Sequence, residues 1–278
     1  MTGSAYLLTL SCPNQPGIVA RVTTEIFSHG GNIMEAHQFD DTETGSFFTR
    51  IVFSLPEGQD PAQLLNDFAP IAEQFGMEWS MRPRDERRKV LLLASKFDHC
   101  LIDLLYRCRI GELRMDVVGI ISNHPLATYS EIGFGAIPFH YLPVTKDTKA
   151  QQEQQIKEIV TATGADLVVL ARYMQILSDD LATFLAGRCI NIHHSFLPAF
   201  VGADPYRRAH ERGVKMIGAT AHYVTAELDA GPIIAQDTAR VSHRDTVEEL
   251  RRRGAELERR VLADAVRLGR LDLSALDR

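Results

Sequence analysis

Val90-Leu91-Leu92-Leu93-Ala94 is the run that most restricts what this chain can become. Five consecutive apolar residues leave no wet face, so as a strand the run has to be covered on both sides. Helical spacing follows in Leu101, Leu104, Leu105 and Cys108, ending near Gly111. Strand-like runs recur at 116–121, 137–142, 166–171 and 189–193, with helical segments between most of them, for example 149–163. Strand alternating with helix predicts a doubly wound, mostly parallel α/β sheet. The runs 217–224 and 232–239 are separated by a short turn-rich loop, which suits an antiparallel pair. A last long helix is predicted over 246–268. Val247, Leu250, Gly254, Leu257, Val261, Ala265 and Leu268 mark its inner face, and Arg251, Arg252, Glu256, Glu258 and Arg259 its wet face.

Before residue 84 the pattern differs. A strand over 6–11 leads to the turn Pro13-Asn14-Gln15-Pro16-Gly17, with Pro16 placed to open a helix carrying Ile18, Val19, Val22, Ile26 and Phe27. Gly30-Gly31-Asn32 stops that helix. Strands over 33–39 and 46–55, a helix over 61–75 and a strand over 77–81 complete the order βαββαβ, an α+β ferredoxin-like unit. The chain therefore divides into domains 1–84 and 85–278. The basic run Arg82 to Lys89, interrupted by Asp85 and Glu86, reads as a solvated linker between them.

Bulk properties exclude several classes. The formal net charge of -6 argues against a nucleic-acid partner, which needs a basic face. No apolar stretch approaches the roughly 18 residues of a membrane helix, and no signal peptide is visible. Cys12, Cys100, Cys108 and Cys189 show no paired spacing, hence neither a zinc motif nor a disulfide framework, and a reducing cytoplasm is the expected compartment. Gly133-Phe134-Gly135 lacks the third glycine of a dinucleotide fingerprint.

In an open α/β sheet, ligands bind beyond the carboxyl ends of the strands. Asn191 and His193 stand two apart at such an end, so they share one face: a neutral donor beside a proton carrier. A second element, Ala221 to Pro232, runs from a strand into Asp229-Ala230-Gly231-Pro232. Taken together, the runs Ile190-Asn191-Ile192-His193 through Pro198 and His222-Tyr223-Val224 through Pro232 resemble the folate-dependent formyltransferase family. The resemblance implies a catalytic set of Asn191, His193 and Asp229, with 10-formyltetrahydrofolate as substrate and no prosthetic group. It also implies a pterin-binding loop at Met174, Gln175, Ile176 and Leu177, and His194 and His222 could orient the set from behind. The N-terminal segment, through Asn14 to Val19 and Gly30 to Ile33, resembles an ACT domain. That implies an amino-acid effector, methionine or glycine, or else a dimerisation module without a ligand. A homo-oligomer is expected in either case.

The acceptor is the open question. Glycinamide ribonucleotide transformylase needs a glycine-rich phosphate cradle after its first strand. Here that place reads Ala94-Ser95-Lys96-Phe97-Asp98-His99-Cys100. Lys96, Phe97, Asp98 and His99 read as a plug in the pocket of a nucleotide acceptor, which leaves water. With the ACT-like domain, the run Leu93 to Cys100 and the run Ile190 to Phe200, nearly the whole chain resembles the hydrolytic branch of the family, which releases tetrahydrofolate and formate, the latter feeding purine synthesis. Three alternatives stay open: formyl transfer to an amine such as glycinamide ribonucleotide, a silent folate or amino-acid sensor, and a metal-dependent hydrolase using His193, His194, His210 and His222. Against the last, His210-Glu211 is not followed by a second histidine at zinc-helix spacing.

Overall fold

The computed structural model describes residues 4–129, 133–198 and 204–269. Ala199 and Phe200, which end the run used for the resemblance, lie outside the described residues. The chain forms two compact units that divide between Glu86 and Arg87.

The first unit contains β1 (Ala5–Pro13), α1 (Ile18–Ser28), β2 (Asn32–Asp41), β3 (Ser46–Ser54), α2 (Pro61–Phe75) and β4 (Glu78–Pro83). Its antiparallel sheet has the order β2-β3-β1-β4. Leu8, Leu10 and Cys12 alternate along β1 and share one core with Ile18, Val22 and Ile26 of α1 and Leu64, Phe68 and Ile71 of α2. Helix α1 opens at Ile18 rather than at Pro16, because Gly17 takes a left-handed conformation (φ 97°) and ends the turn there. Asp60 caps α2 by accepting from the Ala62 N–H, with Pro61 in the first turn.

The second unit contains β5 (Arg88–Ala94), α3 (His99–Arg109), β6 (Met115–Ser122), β7 (Phe139–Tyr141), α4 (Lys149–Thr163), β8 (Leu167–Leu170), α5 (Asp179–Phe184), β9 (Cys189–His193), α6 (Pro205–Glu211), β10 (Met216–Tyr223), β11 (Ile233–Arg240) and α7 (Val247–Gly269). Its seven strands run in the order β11-β10-β9-β8-β5-β6-β7. The five from β9 to β7 are parallel, and β10 is antiparallel to both β9 and β11. The apolar run on β5 is covered on both sides, as its composition demands. Val90, Leu92 and Ala94 pack with Leu101 and Leu104 of α3 and Leu257 and Val261 of α7, while Leu91 and Leu93 pack with Ile156 and Val160 of α4. Each such fully buried leucine contributes about 1.5–3 kcal/mol.

Three local expectations change. Only the middle of the run 82–89 is linker, since β4 extends to Pro83 and β5 starts at Arg88; pairing with their neighbours leaves 84–87 between them. The strand expected over 137–142 shrinks to three residues at the sheet edge, where only β6 pairs with it. Helices α5 and α6 had no sequence prediction because each has too few residues for a readable period; α5 is set by Ser178, whose hydroxyl accepts from the Leu181 N–H. Among the described residues no helix is long and apolar enough to cross a membrane.

Candidate active site

From β5 the chain proceeds to β6 and β7 on one side, then returns to place β8 on the other. The carboxyl ends of β5 and β8 therefore flank the topological switch point, where connections diverge and leave a crevice. Ser95 ties that crevice together. Its hydroxyl donates to Asn123 Oδ1 (2.7 Å) and accepts from the Met174 N–H (3.0 Å), and the Tyr129 hydroxyl donates to its carbonyl.

Beside the crevice, β9 and β10 bring the expected set together. Asn191 lies opposite His222 in the antiparallel register. A register shift between Ala221 and His222, where β10 meets β11, marks a bulge of the kind that re-aims a side chain. His222 Nδ1 donates to the Tyr223 carbonyl at 2.9 Å, which leaves Nε2 to accept from Asn191 Nδ2 at 3.2 Å. The same bond fixes the Asn191 amide, whose second N–H has no partner among the described residues. Asp229 Oδ2 stands 3.3 Å from His193 Nδ1, and its Oδ1 stands 3.7 Å from His222 Nε2. The His193 bond first, then the neighbouring His222 ring, hold the Asp229 carboxyl well below the usual carboxylate range against the opposing effect of burial. His193 Nε2 is buried and has no partner among the described residues. With Nδ1–H directed at Asp229, that nitrogen carries the lone pair in the neutral ring.

The Asp-Ala-Gly-Pro loop has a steric reason. Asp229 sits in the left-handed region (φ 57°), which aspartate tolerates better than most residues. A Cβ on Gly231 would lie 1.9 Å from the Tyr223 carbonyl oxygen, so only glycine lets the loop fold back onto β10. The Tyr223 N–H donates to the Pro232 carbonyl at 2.9 Å and closes the return.

A second polar network, which sequence reasoning missed, lies next to the first. Glu258 was placed on the wet face of the last helix, yet it is buried at 2% exposure. The reason is that α3, α6 and the loop after β8 cover that side of α7. Glu258 Oε2 accepts from His99 Nε2 (2.8 Å) and lies 3.2 Å from Arg172 Nε, while Oε1 accepts from the Tyr206 hydroxyl (2.6 Å). Burial raises the Glu258 pKa, but the His99 bond and the Arg172 charge outweigh it and the net direction is downward. Gly254, one turn earlier, makes the Tyr206 contact possible, since a Cβ there would lie 2.0 Å from Tyr206 Oη. Arg172 is 8% exposed and left-handed at φ 64°, a strained conformation costing about 1–3 kcal/mol in a residue other than glycine. Its Nη1 has no partner among the described residues.

His194 joins the two networks. Its ring stacks on His193 at 5.3 Å between centroids. Burial first, then the Arg172 charge, push its pKa down to about 4, with Glu258, His193 and Asp229 also acting on it. His194 is thus a neutral stacking partner, while His222, expected behind the set, contacts Asn191 directly.

The other expected residues fall as follows. Met174 and Ile176 are exposed on the loop after β8, and Gln175 and Leu177 are partly buried there. The loop adjoins the set because β8 pairs with β9 through Leu170 and Asn191. Phe97 and His99 line a cavity of about 980 Å³ together with Arg172, Met174, His194 and Glu258. The Phe97 ring lies over the Arg172 guanidinium at 5.5 Å, whereas Lys96 is exposed and Asp98 begins α3. Of the four residues expected as a plug, Phe97 and His99 line this cavity. Ligand-type groups within 4.8 Å of one another, among the described residues, are His99 with Cys100 and Glu258, and Glu25 with His29 and Asp67. His193, His194, His210 and His222 do not form such a group.

A family model described as formyl transferase matches residues 88–266, and one described as the ACT domain matches residues 6–72. The formyltetrahydrofolate deformylase of Corynebacterium sp. (strain P-1) is 48% identical over 263 residues, 94% of this chain and 92% of that protein. The crystal structure of formyltetrahydrofolate deformylase from Burkholderia mallei ATCC 23344 superposes with a TM-score of 0.88 at 48% identity, covering 95% of this chain and 93% of that one. Glycinamide ribonucleotide transformylase 1 from Symbiobacterium toebii matches with a TM-score of 0.60 at 34% identity, covering 66% of this chain and 87% of that one.

Proposed function

The chain belongs to the formyltetrahydrofolate deformylase family, and from that premise we propose how its residues hydrolyse 10-formyltetrahydrofolate to tetrahydrofolate and formate. The observation that carries the proposal is the orphaned His193 Nε2 beside a free Asn191 N–H, with an ionised Asp229 behind the ring.

Water attacks the formyl carbon while His193 Nε2 takes its proton. Asp229 stabilises the imidazolium that forms, since its Oδ2 already faces Nδ1 at 3.3 Å. The tetrahedral oxyanion accepts the second N–H of the Asn191 amide, which His222 holds in orientation. Such a donor lowers the barrier by about 2.7–4 kcal/mol. His193 then returns the proton to N10 as the carbon–nitrogen bond breaks, tetrahydrofolate and formic acid are left, and the acid gives its proton to water as formate. General acid–base help of this kind contributes ~10²–10⁴-fold. Met174, Gln175, Ile176 and Leu177 form the pterin wall, with exposed Leu228 beside Asp229 as a further apolar contact. Lys96, Phe97, Asp98 and His99 make the first loop unsuited to a phosphorylated amine, which favours water over transfer.

The finer assignments follow from the same reading. The formate feeds purine synthesis in the cytoplasm, the ACT domain binds methionine or glycine, and the enzyme works as a homo-oligomer. The test is formate release from 10-formyltetrahydrofolate by the purified chain without an amine, repeated with each amino acid. Turnover that required glycinamide ribonucleotide would overturn the hydrolytic reading.

A further inference from the structure

We propose that the cavity behind His194 is a formate site in which Arg172 holds the product carboxylate after the formyl bond is broken. The inference rests on the hydrolytic reading, because only hydrolysis delivers formate as a free anion at this place.

The argument begins with the hydrogen-bond inventory of Arg172. A guanidinium carries five N–H donors in a rigid plane and is always charged. Arg172 is more than nine-tenths buried, yet Nη1 has no acceptor among the described residues. Glu258 does not satisfy it. The two Glu258 oxygens are shared by His99, Tyr206 and Arg172 Nε, and Nε itself lies 3.2 Å away without hydrogen-bond alignment. Phe97 covers one face of the guanidinium. What stays unspent is the buried Nη1, on the edge of the plane from which a carboxylate approaches an arginine. Arg172 is one of the residues that line the 980 Å³ cavity.

Position selects the ligand. The wall of the cavity nearest the catalytic set is His194, which follows His193 in the chain and stacks on its ring. Formate formed at His193 Nε2 therefore meets His194 and then Arg172. A left-handed arginine is a costly way to build a surface, and the strain is explained if φ 64° is what aims the fork into the cavity. The outer rim mixes Glu248 and Glu249 with Arg251 and Arg252 and so selects no charge. The inner wall, with its unspent N–H groups, does.

The experiment is a titration of the full-length protein with ¹³C-formate, read by NMR line broadening, beside formate inhibition of turnover in the same preparation. A ligand of three heavy atoms binds at about millimolar strength. Saturable binding is expected to the wild type, a loss of about tenfold in Arg172→Lys, which keeps the charge but not the fork, and a complete loss in Arg172→Gln. If Arg172→Gln fails to fold, Arg172→Lys alone decides. Equal affinity in wild type and Arg172→Lys, or absence of saturable binding to the wild type, overturns the proposal. So does displacement by inorganic phosphate at lower concentration than formate, which would make the site one for a larger anion. Formate released from the folate but not bound at Arg172 overturns this inference alone. Formate bound at Arg172 but not released from the folate overturns the hydrolytic reading and, with it, the product role of the site.

Discussion

Asp229→Asn removes one charge with little change of shape, so it isolates what that charge does. In the wild type, Asp229 Oδ2 lies 3.3 Å from His193 Nδ1, and both side chains are mostly buried. Unit charges at that separation attract by about 5 kcal/mol at an effective dielectric of about 20. A neutral imidazole feels little of this; the attraction grows as His193 acquires the water proton. If about half the charge has developed at the barrier, the variant loses about 2.5 kcal/mol, and if all of it, about 5 kcal/mol. At roughly 1.4 kcal/mol per tenfold, kcat falls between about 60-fold and about 4,000-fold. The assay is formate release at saturating folate near neutral pH, with KM expected to stay within about threefold because the proposed pterin wall is untouched. A variant that kept kcat within about fivefold would refute the charge-stabilisation role. Thermal melting gives an independent readout. The folded carboxyl is depressed, so its contribution to stability is present above the unfolded pKa and lost as pH falls through the folded one. The melting difference between wild type and variant should therefore be present at neutral pH and close below about pH 4.

Asn191→Ala removes the proposed oxyanion donor, and kcat measured by formate release should fall by about 10²–10³-fold with folate affinity retained. His194→Gln should flatten the stability profile in acid. The depressed His194 pKa means the unfolded chain binds the extra proton, so wild-type melting temperature should drop from about pH 6.5 to about pH 4, and the variant should lack that component. Gly254→Ala places a methyl group 2.0 Å from Tyr206 Oη and must displace the tyrosine from Glu258, costing about 1–3 kcal/mol in a denaturant titration. Glu258→Ala strands Arg172 in the interior and should cost about 3–5 kcal/mol by the same measurement.

How much of this was legible depends on how local each cause is. The alternation of strands and helices could be read because burial on both faces of β5 requires an apolar residue at every position, and the run 90–94 has one. Spacing on a strand put Asn191 and His193 on one face, and the resemblance of the two motifs to a known family added Asp229; the structure supplies the steric reason for Gly231 in that loop. Both the apolar run and the strand spacing are constraints acting within a few residues. The pair of short helices α5 and α6 could not be read, since six or seven residues do not establish a period.

The second network depended on tertiary packing. Glu258 has the helical phase of a solvated residue, and nothing nearby in sequence says otherwise. It is buried because His99, Arg172 and Tyr206, from three distant segments, close over α7 and satisfy its carboxylate. Arg172 likewise reads as an ordinary turn residue, and only the fold makes it a buried guanidinium with unspent donors. The sequence by itself determined the alternating strands and helices, because those follow from period, and its two motifs, by their resemblance to a known family, pointed to Asn191, His193 and Asp229 as the proposed set. Tertiary structure alone decided which charges are dry, because desolvation depends on what other segments cover, and that coverage shapes the space beside the set.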